Sequence, residues 1–267
     1  MKNLLFTLAL LVSFNSFGQT AEEYFNSANA KVQMKDYSGA ISDYTKAIEI
    51  EPGFSRDYYN RGSAKAFLKD HTGAISDFTK TIELEPNYAQ AYFNRGNSKK
   101  SLKDDSGAIR DFTKAIELEP NYAEAYFNRG NTKQKLQDHN GAISDYNKII
   151  ELDPNYGMAY NQIGISKINL KDYTGATIDF NKAIELIPDF AMGYVNRGLA
   201  KFYLQDHNGA ISDYTKGIEV DPNYAMGYYN RALSKGTLGD TNGACEDAKK
   251  SASLGYDASK LIKLACN

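Results

Sequence analysis

The chain has 267 residues, 42% hydrophobic and 24% charged, with 20 tyrosines, 13 phenylalanines and no tryptophan, the composition of a folded globular protein. A formal charge of −2 provides no basic field to hold nucleic acid or an anionic membrane surface, which sets nucleic-acid binding aside. Length alone would suggest one or two domains, but an internally repeated chain escapes that count.

Residues 1–18 differ from everything after them. Lys2 is a short positive segment, Leu4 to Val12 is apolar, and Ser16 and Gly18 are small residues suited to cleavage before Gln19. The apolar stretch is shorter than the ~20 residues of a membrane span. Polar Asn15 follows it closely, and no cysteine is placed there to carry a lipid. The expectation is a cleaved signal peptide and an exported protein, periplasmic or secreted, with no membrane span after cleavage. An uncleaved anchor is the alternative.

Beyond this leader, all six prolines (Pro52, Pro86, Pro120, Pro154, Pro188 and Pro222) stand 34 residues apart. A fixed period near 34 is what stacked helix–turn–helix repeats produce, each too small to bury its apolar face alone. Seven repeats then span 21–54, 55–88, 89–122, 123–156, 157–190, 191–224 and 225–258. In the third, Ala108, Ile109, Phe112, Ala115 and Ile116 form one apolar stripe at helical spacing. Asp104 precedes the stripe and has counterparts at Asp36, Asp70, Asp138, Asp172, Asp206 and Asp240, placed to cap the free N–H groups of the second helix. Pro120 ends that helix by pushing Glu119 out of the helical region. The first helix is marked by Tyr92, Gly96 and Leu102. Gly96 and Ala108 allow two antiparallel helices to approach, with Tyr92 and Phe112 filling the space beside them.

Little in the chain looks chemical. His71, His139 and His207 fall in turns of alternate repeats, 68 residues apart. Helices spaced ~10 Å apart keep any two of them from ligating one metal at ~2.0–2.1 Å, so they read as exposed turn residues. Their alternation hints at growth by copying a two-repeat block. No nucleophile motif, phosphate loop or metal-ligand spacing appears, and the expectation is no catalysis, no cofactor and no metal. At the end of the chain, Cys245 and Cys266 lie equidistant from a helix break at Gly255 and Tyr256. An antiparallel pair formed with a short capping helix in 257–267 brings the two cysteines level. A disulfide is expected in an oxidising compartment, with two free thiols as the alternative.

At these residues the chain resembles the tetratricopeptide repeat family. The family pattern of aromatic, Leu-Gly, aromatic, Ala, aromatic, Ala and Pro reads here as Tyr92, Arg95-Gly96, Lys99, Ala108, Phe112, Ala115 and Pro120, and the resemblance covers residues 21–258. Two departures recur. Arg replaces Leu at Arg61, Arg95, Arg129, Arg197 and Arg231; Lys replaces the second aromatic at Lys31, Lys65, Lys99, Lys133, Lys167, Lys201 and Lys235. Half-buried cations require partners. Asp43, Asp77, Asp111, Asp145, Asp179, Asp213 and Asp247 supply one per repeat, so a structural ladder of Arg/Lys–Asp pairs is expected.

The resemblance implies an all-α, right-handed superhelical solenoid whose first helices line a concave groove faced by their sixth position. That position is Asn26, Asn60, Asn94, Asn128, Gln162, Asn196 and Asn230, an amide row suited to an extended backbone. The alternative is that these amides satisfy neighbouring helices. Other groove positions add Tyr59, Phe93 and Phe127, with Asn97 and Asn131, in repeats two to four. Repeats five to seven add Met158, Met192, Met226, Leu199, Phe202, Ile165, Ile168, Leu233 and Val195. The fifth repeat is the seam, where Ile163 replaces Arg. The Lys/Arg places of the family's carboxylate clamp hold other residues here, so that specificity is not carried over. The expected function is a non-enzymatic interaction scaffold of the bacterial envelope, binding a protein or peptide. The rivals are an enzyme, which no break in the repeat symmetry supports, and a self-assembling component that forms a homo-oligomer through the apolar half.

Overall fold

A computed structural model of the protein describes residues 19–266. The expected signal peptide lies outside the described residues. All regular structure among them is helical. The helices are α1 (Ala21–Gln33), α2 (Tyr37–Ile50), α3 (Ser55–Phe67) and α4 (His71–Leu84), then α5 (Ala89–Ser101), α6 (Asp105–Leu118), α7 (Ala123–Lys135) and α8 (His139–Leu152). They continue through α9 (Gly157–Asn169), α10 (Tyr173–Leu186), α11 (Ala191–Tyr203), α12 (His207–Val220), α13 (Ala225–Thr237), α14 (Thr241–Ser253) and α15 (Ser259–Ala265). Each odd helix from α1 to α13 packs on the even helix after it, the arrangement of an all-α repeat solenoid, and α15 packs on α14. The chain divides into two compact parts, one ending at Pro86 and the other beginning at Asn87.

The repeat dictates where these helices start and stop. Every second helix is capped by its Asp: Asp104 accepts from Gly107 N–H at 2.9 Å, and the other six do the same from the glycine three residues on. A Cβ on Gly107 would collide with that carboxylate, so glycine and cap are one device. Glu119, before Pro120, leaves the helix at φ −127° and ψ 89°. The first helices of repeats two to seven carry no side-chain cap; α1 alone opens on a capping box made by Thr20 and Glu23.

Each hairpin turns through one left-handed residue. Lys35, Lys69, Lys103, Gln137, Lys171 and Gln205 sit at φ between 62° and 65°, whereas the seventh turn uses Gly239 at 84°. Glycine adopts this conformation without the Cβ clash that costs other residues roughly 1–2 kcal/mol. Lys103→Gly is therefore expected to stabilise the array by about 0.5–1 kcal/mol, read as a rise in urea midpoint at unchanged m-value.

Inside the hairpins, Phe112 is fully buried against Gly96, where a Cβ would lie 2.8 Å from its Cε1. Tyr146, Phe180 and Tyr214 repeat the arrangement over Gly130, Gly164 and Gly198. Tyr92 is only half-buried and serves as a platform, with the Arg95 guanidinium 5.5 Å from its ring centroid. In the part from Asn87 onward, α9 touches α11, α11 touches α13 and α13 touches α15, while no second helix packs comparably on another among the described residues. The first helices thus form the crowded side of this part.

Candidate functional site

The second-helix side is built around the aspartates. Arg95 donates to Asp111 through Nε (2.9 Å) and Nη2 (2.8 Å), and Lys99 Nζ lies 2.8 Å from the same carboxylate. The same three-membered rung forms at Asp77, Asp145, Asp213 and Asp247. The arginine also reaches back one repeat, as Arg129 Nη1 donates to Thr113 Oγ1 at 3.0 Å and Arg197 Nη1 to Asn181 Oδ1 at 2.8 Å. Two rungs lack arginine. Asp43 takes Ser27 and Lys31, each at 2.6 Å; burial pushes its pKa up, but these hydrogen bonds outweigh burial and hold it low. Asp179 has Lys167 alone at 2.7 Å, because Ile163 is drawn into the apolar cluster with Tyr146 and Ile149. Burial therefore wins there and pushes the Asp179 carboxyl up. The ladder charges on this side are spent internally.

The first-helix side is different. Asn26 is exposed and Asn60 half-buried in the part ending at Pro86. From Asn87 onward, Asn94, Asn128, Gln162 and Asn196 are half-buried, whereas Asn230 is buried and out of a partner's reach. These amides also tie successive first helices together. Asn128 Oδ1 accepts from Lys100 Nζ at 2.8 Å, Gln162 Nε2 donates to Asn131 Oδ1 at 2.9 Å, and Asn196 Nδ2 donates to Asn161 Oδ1 at 3.0 Å. The row is thus mortar between helices, and its unused lone pairs and N–H groups are what remains for a ligand.

Phe93 lies between Phe112 (5.8 Å between centroids) and Tyr122 (4.9 Å); Phe127 lies between Tyr146 (5.9 Å) and Tyr156 (6.0 Å). Beside Phe127, a cavity of about 120 Å³ is lined by Ala123, Glu124, Phe127, Asn128 and Tyr156. Tyr156 completes this wall, and the regular spacing of an aromatic two residues after each proline (Phe54, Tyr88, Tyr122, Tyr156, Phe190 and Tyr224) was the available signal for it. Of the predicted groove residues in repeats five to seven, Met192 (41%) and Met226 (39%) are exposed, while Met158, Leu199 and Phe202 are half-buried. Val195 is fully buried, and Ile165 and Ile168 pack on Ala176, Phe180 and Ala200. Apolar side chains here wedge between helices, so the exposed apolar surface is smaller than the sequence suggests.

His71, His139 and His207 are the first residues of α4, α8 and α12 and are half-buried rather than exposed; Phe202 packs edge-on against His207 at 5.0 Å. No cluster of His, Cys, Asp or Glu able to hold a metal occurs among the described residues. No helix among the described residues is long and apolar enough to cross a membrane. Cys245 and Cys266 are joined, with Cα atoms 5.0 Å apart, and this bond fixes α15 on α14. Replacing both cysteines with serine should cost about 3 kcal/mol on the chain-entropy account. It should also raise hydrogen exchange in α15 selectively, measured by mass spectrometry.

Patterns described as "Tetratricopeptide repeat" match residues 123–156 and residues 21–54, 58–88, 159–190 and 193–224, and one described as "TPR repeat" matches 96–137. Together they cover well over half of the chain. Among curated proteins none matches significantly. A tetratricopeptide repeat protein from Parabacteroides merdae superposes with a TM-score of 0.70 at 23% identity, over 94% of this chain and 100% of that one. The C-terminal part of a TPR repeat-containing protein from Cytophaga hutchinsonii gives 0.75 at 20% identity, over 90% and 98%. YrrB, described as a TPR protein with an unusual peptide-binding site, gives 0.61 at 23% identity, over 64% and 95%. By repeat, by packing and by these matches, the chain belongs to the tetratricopeptide repeat family.

Proposed function

We propose that the protein is an exported, non-catalytic scaffold that holds an extended peptide or partner segment along its first-helix face. One observation carries the reading: the ladder aspartates of the second helices are consumed in ion pairs, while the first helices from α5 to α13 present amides, aromatics and methionines, with a side-chain-sized cavity beside Phe127. Tetratricopeptide repeats are protein-interaction scaffolds, and the peptide-binding site described for YrrB is consistent with this use of the fold. The amides donate to and accept from a peptide backbone without demanding one sequence, the cavity takes an apolar anchor, and the flexible methionines adapt to different partners. The leader-like residues 1–18 support export to the periplasm or beyond, and the mature N-terminus is expected at Gln19.

The test is selection from a displayed library of extended peptides, comparing wild type with Asn94→Ala, Asn128→Ala and Leu199→Ala combined. Wild type should enrich a family of peptides and the triple variant should lose at least tenfold in affinity for them while remaining folded. Equal binding by both proteins would overturn the groove as the binding surface. A hydrolase screen of the pure protein is expected to be negative. Light scattering should give a monomer; a defined oligomer would favour self-assembly through Met192 and Met226.

A further inference from the structure

The seventh repeat lacks bulk that the sixth keeps. Gly96, Gly130, Gly164 and Gly198 are demanded by the rings above them, since a Cβ on any of these would lie 2.6–2.8 Å from a ring carbon. Gly236, inside α13, is under no such demand: an added Cβ would meet only the Ala244 Cβ, at an ordinary 3.7 Å. Glycine weakens a helix interior relative to other residues, so this one lowers helix stability and leaves open space. The equivalent places hold Val32, Ala66, Lys100, Gln134, Ile168 and Phe202. In the sixth repeat Phe202 packs on His207, whereas the same two places in the seventh hold Gly236 and Thr241.

The space left is an open-sided cavity of about 310 Å³, walled by Leu233 and Gly236 of α13, Thr241 and Ala244 of α14, and Leu261 and Leu264 of α15. Small-molecule sites run from about 300 to 1,000 Å³, so one compact ligand fits. Among the described residues no ionisable side chain lines it. The hydroxyl of Thr237, also on the wall, already donates to the Leu233 carbonyl at 2.9 Å. Leu264 stands at the open side, 81% exposed, so the apolar lining continues out to solvent. The disulfide between Cys245 and Cys266 holds α15, and with it this wall, in place.

We propose that this cavity binds the aliphatic tail of a single-chain amphiphile and leaves the polar end in water. An uncharged aliphatic wall rewards burial of hydrocarbon and penalises burial of a polar group. The open side lets a head group keep its hydration, and the tail covers Leu264. The same tail is carried by a free fatty acid and by a neutral-headed lipid, so the head group separates the two sources.

Decanoate and decyl maltoside, each titrated calorimetrically below its micelle threshold, present one tail under an anionic and a neutral head; acetate and maltose are the tail-free controls. Wild type should bind one equivalent of an amphiphile per chain and neither control. Tighter binding of decanoate would mark a free fatty acid as the source, and tighter binding of the maltoside a neutral lipid. Gly236→Phe, which sets the ring of Phe202 in the cavity, should abolish the binding without lowering the melting temperature. Leu264→Ser, at an exposed position that leaves the fold intact, should weaken it. No saturable binding by wild type, or undiminished binding in both variants, would overturn the site.

Discussion

Asp111→Ala is expected to lower stability by about 3–5 kcal/mol, the usual cost of removing one partner from a buried ionic group. The substitution strands Arg95 and Lys99, which together make three contacts of 2.8–2.9 Å to that carboxylate. For an array of this size the melting temperature should fall by roughly 10 °C. Asp179→Ala should cost distinctly less, because Asp179 has only Lys167 and its carboxyl is already pushed up by burial. Thermal melts of both variants, followed by circular dichroism, give the comparison. Similar losses in the two would show that the arginine contacts add nothing.

Asp57→Ala should do the opposite and stabilise the protein by about 1–3 kcal/mol at neutral pH, the price of a buried unsatisfied polar group. Asp57 in α3 is 1% exposed, neither carboxylate oxygen has a hydrogen-bond partner, and its nearest cation is Arg56 Nε at 3.3 Å. Three other repeats place Ala91, Ala125 and Ala159 there, all fully buried. Burial raises the Asp57 pKa, with Arg56 pulling in the other direction. A folded-state pKa above the unfolded value of ~3.9 favours folding only while the group is protonated. The penalty is therefore present at neutral pH and disappears as pH falls below the unfolded pKa. Urea melts should show the variant ahead at pH 7 and the two proteins converging near pH 3.5. A gap that widens in acid would contradict the burial of an ionised carboxylate.

How much of this was legible in the sequence depended on whether a residue's role is local or shared between repeats. The aspartate caps, the glycine–aromatic contacts and the Arg/Lys–Asp ladder all follow from period and charge, since each partner lies at a fixed offset inside its own repeat. The left-handed turns did not, because Lys103 and Gln137 carry no turn signature and only Gly239 betrays the position. Contacts between neighbouring repeats were also hidden. Tyr37 stacks on Phe67 at 3.9 Å, Tyr173 on Tyr203 at 4.7 Å, and Lys135 pairs with Asp105, all at an offset of 30 residues that the 34-residue period obscures. These pairs occupy the helix position that histidine holds in the alternate repeats, which gives the spacing of His71, His139 and His207 a packing context. The amide row was visible as a row, but its bonding across first helices, and the burial of Asn230, depend on how closely those helices approach.

On the proposed reading a partner is held by the first helices, and the second helices contribute the ladder aspartates that bind Arg and Lys of the first. Hydrogen exchange with and without a library-selected peptide separates the two, because each helix reports its own protection. Slowed exchange is expected in α5, α7 and α9, centred on the segments carrying Asn94, Phe127 and Gln162, with α6, α8 and α10 unchanged. Protection confined to α6, α8 and α10 would contradict it.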